Sequence, residues 1–145
     1  MLPRLAIAAA AAALLVSAAS AVPAATPHLS PARAVAWLEA NSDLQRPAQA
    51  MPQVRIVSDP ASVRPGARYG AYVDGTVYLA SWLPPDQAEA VLMHELVHWL
   101  QPAGCTGARE LQAHTLTARW MARTGKPGPH IKWAQVRADA AACRN

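Results

Sequence analysis

The stretch from Val91 to Leu100 reads VLMHELVHWL and contains the pattern H-E-x-x-H within an otherwise apolar run. The run predicts a helix with one buried apolar face. His94 and His98 are four residues apart, so they lie on the same side of that helix. Glu95 lies about 100° around the helix from His94. A fold that contains this helix must bury its apolar face and leave the two imidazoles facing elsewhere.

Two imidazoles at this spacing can bind Zn²⁺ together with a third protein ligand, which leaves one tetrahedral position for water. Zinc lowers the pKa of that water towards about 7, and Glu95 is placed to take its proton. The alternative is a surface helix in which the pattern occurs by chance. We favour the zinc interpretation because Glu95 is the only charged side chain from Val91 to Leu100 other than the histidines. A carboxylate in so apolar a run needs a compensating partner.

The third ligand determines which kind of zinc site this is. A histidine six residues after the motif would indicate the metzincin arrangement, but that position is Gly104. The acidic residues downstream of His98 are Glu110 and Asp139. A tight turn between two helices would return Glu110 to the histidine pair, so Glu110 is the predicted third ligand. His114 is the alternative third ligand. The alternative for Glu110 itself is an ordinary glutamate in the first turn of a helix, where the helix dipole favours a negative charge.

The sequences HELVHWLQ (residues 94–101) and RELQAH (residues 109–114) resemble those of small gluzincin-type zinc metallopeptidases. The similarity is closest to a group of compact bacterial exported proteins that pair an HELVH-x-LQ helix with a helix reading R-E-x-x-A-Y. It covers about residues 69–120, roughly a third of the chain. The resemblance implies a zinc-dependent hydrolase that cleaves peptide or amide bonds.

The resemblance also implies a role for each residue of the motifs. His94, His98 and Glu110 are expected to bind zinc, and Glu95 is expected to be the general base. The chain has His114 where the pattern usually has tyrosine. His114 is a candidate catalytic residue with three open roles: binding metal, hydrogen-bonding an oxyanion or orienting Glu110. A purely structural histidine is the alternative.

The N-terminal residues 1–21 have the order of a bacterial secretory signal peptide. A positive charge is followed by an apolar run from Leu5 to Val16, and small residues surround Ala19-Ser20-Ala21. We expect the protein to be exported to the periplasm or secreted, with residues 22–145 forming a single domain. An uncleaved N-terminal anchor is the alternative. No later stretch approaches the ~18 apolar residues of a membrane span.

Two cysteines in an exported chain predict one disulfide. Cys105 lies in the predicted turn between the two zinc helices, and Cys143 is the third residue from the C-terminus. Bridging them would fasten the C-terminal tail to the turn that delivers Glu110. The alternative, Cys105 as a zinc ligand, would leave Glu110 unexplained.

Local patterns place the other elements. Ser30-Pro31 predicts the start of a helix that ends near Ala40, and Pro52–Val57 alternates like a strand. Tyr69–Val73 and Thr76–Ala80, joined by Asp74-Gly75, predict a hairpin with a type I′ turn. A last helix is predicted near Ile131 to Ala142.

These elements predict an α+β fold, a compact zincin-like domain in which a short antiparallel sheet packs on the HExxH helix and the glutamate-bearing helix. In resembling metallopeptidases an edge strand beside the zinc helix pairs with an extended peptide. Thr76–Ala80 is the predicted edge strand of this kind, or else a plain strand between core and surface.

The excess of Lys and Arg (13) over Asp and Glu (9) is modest and scattered. Because no run of like charge occurs, we expect a peptide or protein substrate and no nucleic-acid partner. The alternative function is a non-catalytic zincin-like domain that binds a peptide or an envelope partner. Endopeptidase, exopeptidase and amidase activity are all compatible with these residues.

Overall fold

The computed structural model describes residues 27–143, so the predicted signal peptide lies outside the described residues. Across this range the helices and strands follow one another as α1 (Pro31–Asn41), β1 (Gln53–Val57), β2 (Gly70–Val73), β3 (Thr76–Ala80), α2 (Pro85–Leu100), α3 (Thr106–Arg123) and α4 (Trp133–Ala142). A 3₁₀ turn at Pro60–Ser62 lies between β1 and β2. The predicted α+β class is confirmed.

Helix α1 begins where the sequence predicts. Ser30 is its N-cap, and the Ser30 hydroxyl accepts a hydrogen bond of 3.3 Å from the backbone N–H of Arg33. Pro31 occupies the first helical position, where the missing N–H costs nothing. The cap and the proline therefore set this boundary locally.

The predicted hairpin is also confirmed. Asp74 and Gly75, between β2 and β3, have φ angles of 46° and 77°. Two successive positive φ values define the type I′ turn, whose twist matches that of the flanking strands. Val73 pairs with Thr76 directly across the turn.

The sheet is mixed rather than entirely antiparallel. Its strand order is β1-β3-β2, with β3 antiparallel to β2 and parallel to β1. The prediction that Thr76–Ala80 is an edge strand is therefore wrong, because β3 is paired on both sides. The physical reason is the crossover from β1, which passes through the 3₁₀ turn and leaves β1 beside β3. Burial of Val77, Leu79 and Ala80 is consistent with a central strand.

Strand β2 approaches α2 closely because residue 70 has no side chain. A Cβ atom on Gly70 would lie 2.5 Å from Cγ1 of Val91 and 2.7 Å from the carbonyl oxygen of Tyr78. Such contacts are closer than carbon atoms tolerate, so glycine permits the strand to pack at this distance. Val91 is one turn before His94, and the sheet therefore meets α2 next to the predicted site.

Helix α2 lies at the centre of the molecule, against α1, α3 and both strands of the hairpin. The apolar face predicted for this helix is confirmed. It consists of five buried residues, Leu92, Met93, Leu96, Trp99 and Leu100. Burying side chains of this size stabilises the fold by about 1.5–3 kcal/mol each. None of the helices that the structure describes is long and apolar enough to cross a membrane.

The predicted disulfide is confirmed between Cys105 and Cys143, with Cα atoms 5.8 Å apart. It joins the start of α3 to the end of α4 and closes a loop with a sequence separation of 38. Constraint of the unfolded chain by such a loop contributes about 4 kcal/mol. Gly107 brings the same two helices together, because a Cβ atom there would overlap the backbone of Asp139.

Candidate metal centre

Helices α2 and α3 bring the predicted ligands together. His94 and His98 lie on one side of α2, and Glu110 lies on the first turns of α3. The connection between these helices is five residues long, from 101 to 105, so α3 folds back against α2. The stripe of α3 that carries Glu110 therefore faces the two histidines.

The three side chains are spaced as zinc ligands are. The Nε2 atoms of His94 and His98 are 3.0 Å apart. The Nε2 atoms of His94 and His98 lie 3.2 Å from Oε2 and Oε1 of Glu110, respectively. Tetrahedral zinc, with ligands at 2.0–2.1 Å, places neighbouring ligand atoms about 3.3 Å apart. One donor atom from each of the three side chains lies within 4.8 Å of the other two. These nitrogen and oxygen donors suit a zinc ion, and we call this group the candidate zinc centre.

Glu95 is placed beside the candidate zinc centre and does not belong to it. Its side chain is only 7% exposed. Burial raises the pKa of Glu95, while the nearby positive charge of protonated His94 or His98 and the backbone of Tyr72 act in the opposite direction. A carboxylate whose pKa is raised binds a proton more readily, which is the property of a general base.

The electrostatics of Glu110 and His98 are coupled. Hydrogen bonds from His94 and His98 hold the pKa of Glu110 well below its usual range. Burial acts to lower the pKa of His98, but its hydrogen bond to Glu110 and the Glu110 charge outweigh burial and raise it. The ionised carboxylate that a zinc ligand requires is therefore the favoured form of Glu110.

His114 lies next to the candidate zinc centre but farther from the shared point. Its Nε2 atom is 3.8 Å from Oε2 of Glu110, and its ring centroid is 4.5 Å from that of His94. Burial, followed by the charge of His94, lowers the pKa of His114. The structure thus groups Glu110 rather than His114 with the histidine pair, and the lowered pKa favours the neutral form of the neighbouring His114.

Gln101, which had no predicted role, forms a hydrogen bond with the ring nitrogen of His98 that does not face the candidate zinc centre. The Nδ1 atom of His98 is 2.8 Å from Oε1 of Gln101. With Nε2 directed at the candidate zinc centre, Nδ1–H donates to this amide oxygen, which fixes the tautomer and the ring orientation. The signal for this role is the position of Gln101, three residues after His98 on the same side of α2.

Gln101 is itself held by α3. Its Nε2 atom donates to the carbonyl oxygen of Arg109 at 2.8 Å and to Oε1 of Gln112 at 2.9 Å. Arg109 in turn donates from Nε to Oε1 of Gln101 at 3.3 Å and from Nη2 to the carbonyl oxygen of His98 at 3.4 Å. This network, which we call the Gln101 network, links the end of α2 to the helix that carries Glu110.

The candidate zinc centre opens into a cleft of about 670 Å³. Helix α2 forms its floor through Val91, His94, Glu95 and His98, and the segment 64–70 lines it together with the loop 127–131. Sequence reasoning missed both of these segments, because neither contains a catalytic motif and their proximity depends on the tertiary fold.

An ion pair between a buried glutamate and a partly exposed lysine anchors the start of the loop 127–131. Glu89 of α2 is only 2% exposed. Its Oε2 atom accepts from Nζ of Lys126 at 2.6 Å, and its Oε1 atom accepts from Nε1 of Trp120 at 2.8 Å. The loop therefore begins from a lysine that is fixed to the same helix as the two histidines.

The fold and the site together define a small α+β protein with a His-His-Glu group suited to a metal ion. A family model described as a domain of unknown function, DUF6647, matches residues 25–145, and the chain belongs to this family. No curated protein and no solved structure matches the chain significantly.

Proposed function

We propose that this protein is a zinc-dependent hydrolase of peptide or amide bonds. The observation that carries the proposal is the close grouping of His94, His98 and Glu110, with Glu95 buried beside them. The two Nε2 atoms are 3.0 Å apart, and each lies 3.2 Å from a different oxygen of Glu110. Zinc prefers three such ligands in catalytic sites, where a fourth position stays open to water or substrate.

Zinc, when bound, supplies a Lewis acid that polarises a carbonyl oxygen and makes water more acidic. Glu95 accepts the proton from the attacking water and returns it to the nitrogen of the leaving amine. Its burial next to the histidines suits both steps, because a raised pKa brings a carboxylate closer to the pH at which it must exchange the proton.

His114 is the proposed stabiliser of the oxygen on which negative charge develops. It lines the cleft, and its lowered pKa favours the neutral imidazole, in which one ring nitrogen carries an N–H that can donate. Donors that meet developing charge in a water-poor site contribute more to catalysis than they do in water. The Gln101 network keeps His98 in the orientation that the metal requires.

We further propose that the protein acts outside the cytoplasm. The disulfide between Cys105 and Cys143 favours an oxidising compartment, in agreement with the signal peptide expected at residues 1–21. Peptides or proteins of the periplasm or the surroundings are then the available substrates.

The first test is zinc content, measured in the purified, oxidised protein by elemental analysis beside the variant Glu110→Ala. We expect nearly one zinc per wild-type chain and a sharp fall in the variant. Glu39→Ala is the matched control, because Glu39 pairs with Arg46 on an exposed surface and should leave the zinc content unchanged. Absence of zinc in the wild-type protein, even after supplementation, would contradict the proposal.

The second test is hydrolysis of degenerate acetylated peptide mixtures by the zinc-loaded protein, followed by mass spectrometry. We expect cleavage that stops when zinc is removed by a chelator and returns when zinc is added. Stoichiometric zinc without cleavage would favour the alternative function, a non-catalytic domain that binds a peptide or an envelope partner.

A further inference from the structure

The segment from Arg64 to Tyr69, between the 3₁₀ turn and β2, carries charge into the cleft. Arg64 and Arg68 both line the cleft, and both are exposed. Neither side chain has a role in the proposed hydrolysis. Exposed arginines are common on protein surfaces, so their meaning depends on what surrounds them.

The backbone holds this segment in place. The Asp59 carboxylate accepts from the N–H of Ala61 at 2.9 Å, the N–H of Arg64 donates to the Pro60 carbonyl at 3.1 Å, and the N–H of Ala67 donates to the Arg64 carbonyl at 3.0 Å. The two arginines therefore project from an ordered turn. An ordered turn lowers the entropic cost of presenting both guanidinium groups to a ligand.

The two guanidinium groups are available to a ligand. Among the described residues, no acidic side chain forms an ion pair with Arg64 or Arg68. Arg68 instead lies over the ring of Tyr69, with Cζ 5.2 Å from the ring centroid. Tyr69 packs edge-to-face against Trp82 at a centroid distance of 5.7 Å. Contact with an aromatic face orients Arg68 and leaves its donors free.

The charge of the cleft favours a negatively charged ligand. The acidic side chains among its described lining residues are Glu95 and Glu110, and both belong to the proposed catalytic site. A bound zinc ion balances these two charges, so Arg64 and Arg68 leave the cleft positive. The planar fork of an arginine matches a carboxylate, to which it can donate two parallel hydrogen bonds.

We propose that Arg64 and Arg68 form a carboxylate-binding subsite, so that the protein prefers peptides that carry a carboxylate near the bond to be cleaved. The inference rests on the proposed function, because that function makes the bound carboxylate part of a substrate. The carboxylate can come from an acidic side chain or from a free C-terminus, and the experiment separates these two sources.

The probes are degenerate acetylated hexapeptide mixtures that contain either Glu or Gln at one fixed position, each with a free or an amidated C-terminus. Zinc-loaded wild-type protein, the double variant Arg64→Gln/Arg68→Gln and the control Arg55→Gln are compared. Arg55 lies on β1 outside the cleft, and the control makes the same type of substitution at this single position.

We expect the wild-type protein to cleave one carboxylate-bearing mixture with a kcat/KM at least about tenfold higher than that of its uncharged counterpart. A tenfold ratio corresponds to the free energy of about one hydrogen bond to a charged group. The double variant should lose this preference, and Arg55→Gln should keep it. A preference for Glu over Gln in amidated mixtures identifies a side chain as the source, whereas a preference for free over amidated ends identifies the C-terminus.

Equal cleavage of all mixtures, or a preference that survives in the double variant, would overturn the subsite and leave the proposed hydrolysis standing. If no mixture is cleaved, binding to zinc-loaded Glu95→Gln protein decides the question, with fluorescently labelled forms of the same mixtures. Tighter binding of a carboxylate-bearing mixture that is lost when Arg64 and Arg68 are also replaced would support the subsite. Equal or undetectable binding would overturn it.

Discussion

Glu95 combines deep burial with a position next to the candidate zinc centre, and its substitution separates chemistry from metal binding. In Glu95→Gln the amide has nearly the same shape but cannot accept a proton. Because Glu95 is not a ligand, we expect zinc content to be unchanged and kcat to fall by about 10²- to 10⁴-fold. Zinc analysis and peptide hydrolysis on the same sample test this. Unchanged turnover with zinc retained would show that Glu95 is not the base.

Gln101 contacts no proposed reacting atom, yet its loss should weaken metal binding. In Gln101→Ala the Nδ1–H of His98 loses its acceptor and the Gln101 network loses its centre. We expect zinc affinity to fall by about 10- to 100-fold, the usual effect of removing such a partner. Competition with a chromogenic chelator measures the affinity. Gln45→Ala, an exposed change in the loop after α1, is the control, and equal affinities in the two variants would contradict the role of Gln101.

At the residue scale, the sequence predicted the side chains whose spacing is local. The helical period alone places His94 and His98 on one side of α2, and Glu110 follows from the scarcity of downstream acids. The contact of Gln101 with His98 had a local signal in their spacing of three residues. The role of Arg109 could not be predicted, because its hydrogen bonds depend on where α3 packs against α2.

At the element scale, the loop 127–131 depends on the ion pair between the buried Glu89 and Lys126. In Lys126→Met the Glu89 carboxylate stays buried without its cation, which we expect to destabilise the protein by about 3–5 kcal/mol. The double variant Glu89→Gln/Lys126→Met removes the unpaired charge and should regain part of that stability. Denaturant unfolding of both variants measures the difference, and Lys132→Met, an exposed change, is the control. Equal stability of the single and double variants would show that the buried charge is not the cause.

Elements with local signals were predicted, and their arrangement was not. The Ser30 cap and the Asp74-Gly75 turn fix the start of α1 and the hairpin within a few residues of sequence. The neighbours of a strand depend on contacts between distant segments. The parallel pairing of Gln53–Val57 with Thr76–Ala80 therefore had no local signal, and the hairpin alone suggested a free edge on β3.

At the scale of the whole molecule, pH and zinc should act on stability together. The pKa of His98 is raised above its ordinary value of 6.5, so protonated His98 stabilises the zinc-free fold fully below that value, and the effect is lost as the pH rises through the folded-state pKa. The pKa of Glu110 is lowered from 4.5, so its contribution is present above that value and is lost as the pH falls through the lowered pKa. The ion pair thus contributes most between about pH 4.5 and 6.5.

Zinc must displace the proton from His98, so zinc binding and the ion pair compete for the same nitrogen. We expect zinc to raise Tm by more at pH 8 than at pH 5.5. Zinc binds more tightly at the higher pH, and tighter binding stabilises the folded state more. Thermal unfolding of zinc-loaded and chelator-treated protein at both pH values measures the two shifts. Glu110→Gln is the control: without the carboxylate, the chelator-treated protein should lose the extra stability that the ion pair contributes at pH 5.5. A zinc-dependent rise in Tm that is equal at both pH values would show that protons do not compete with zinc at His98, and the assignment of His98 as a ligand would then fail.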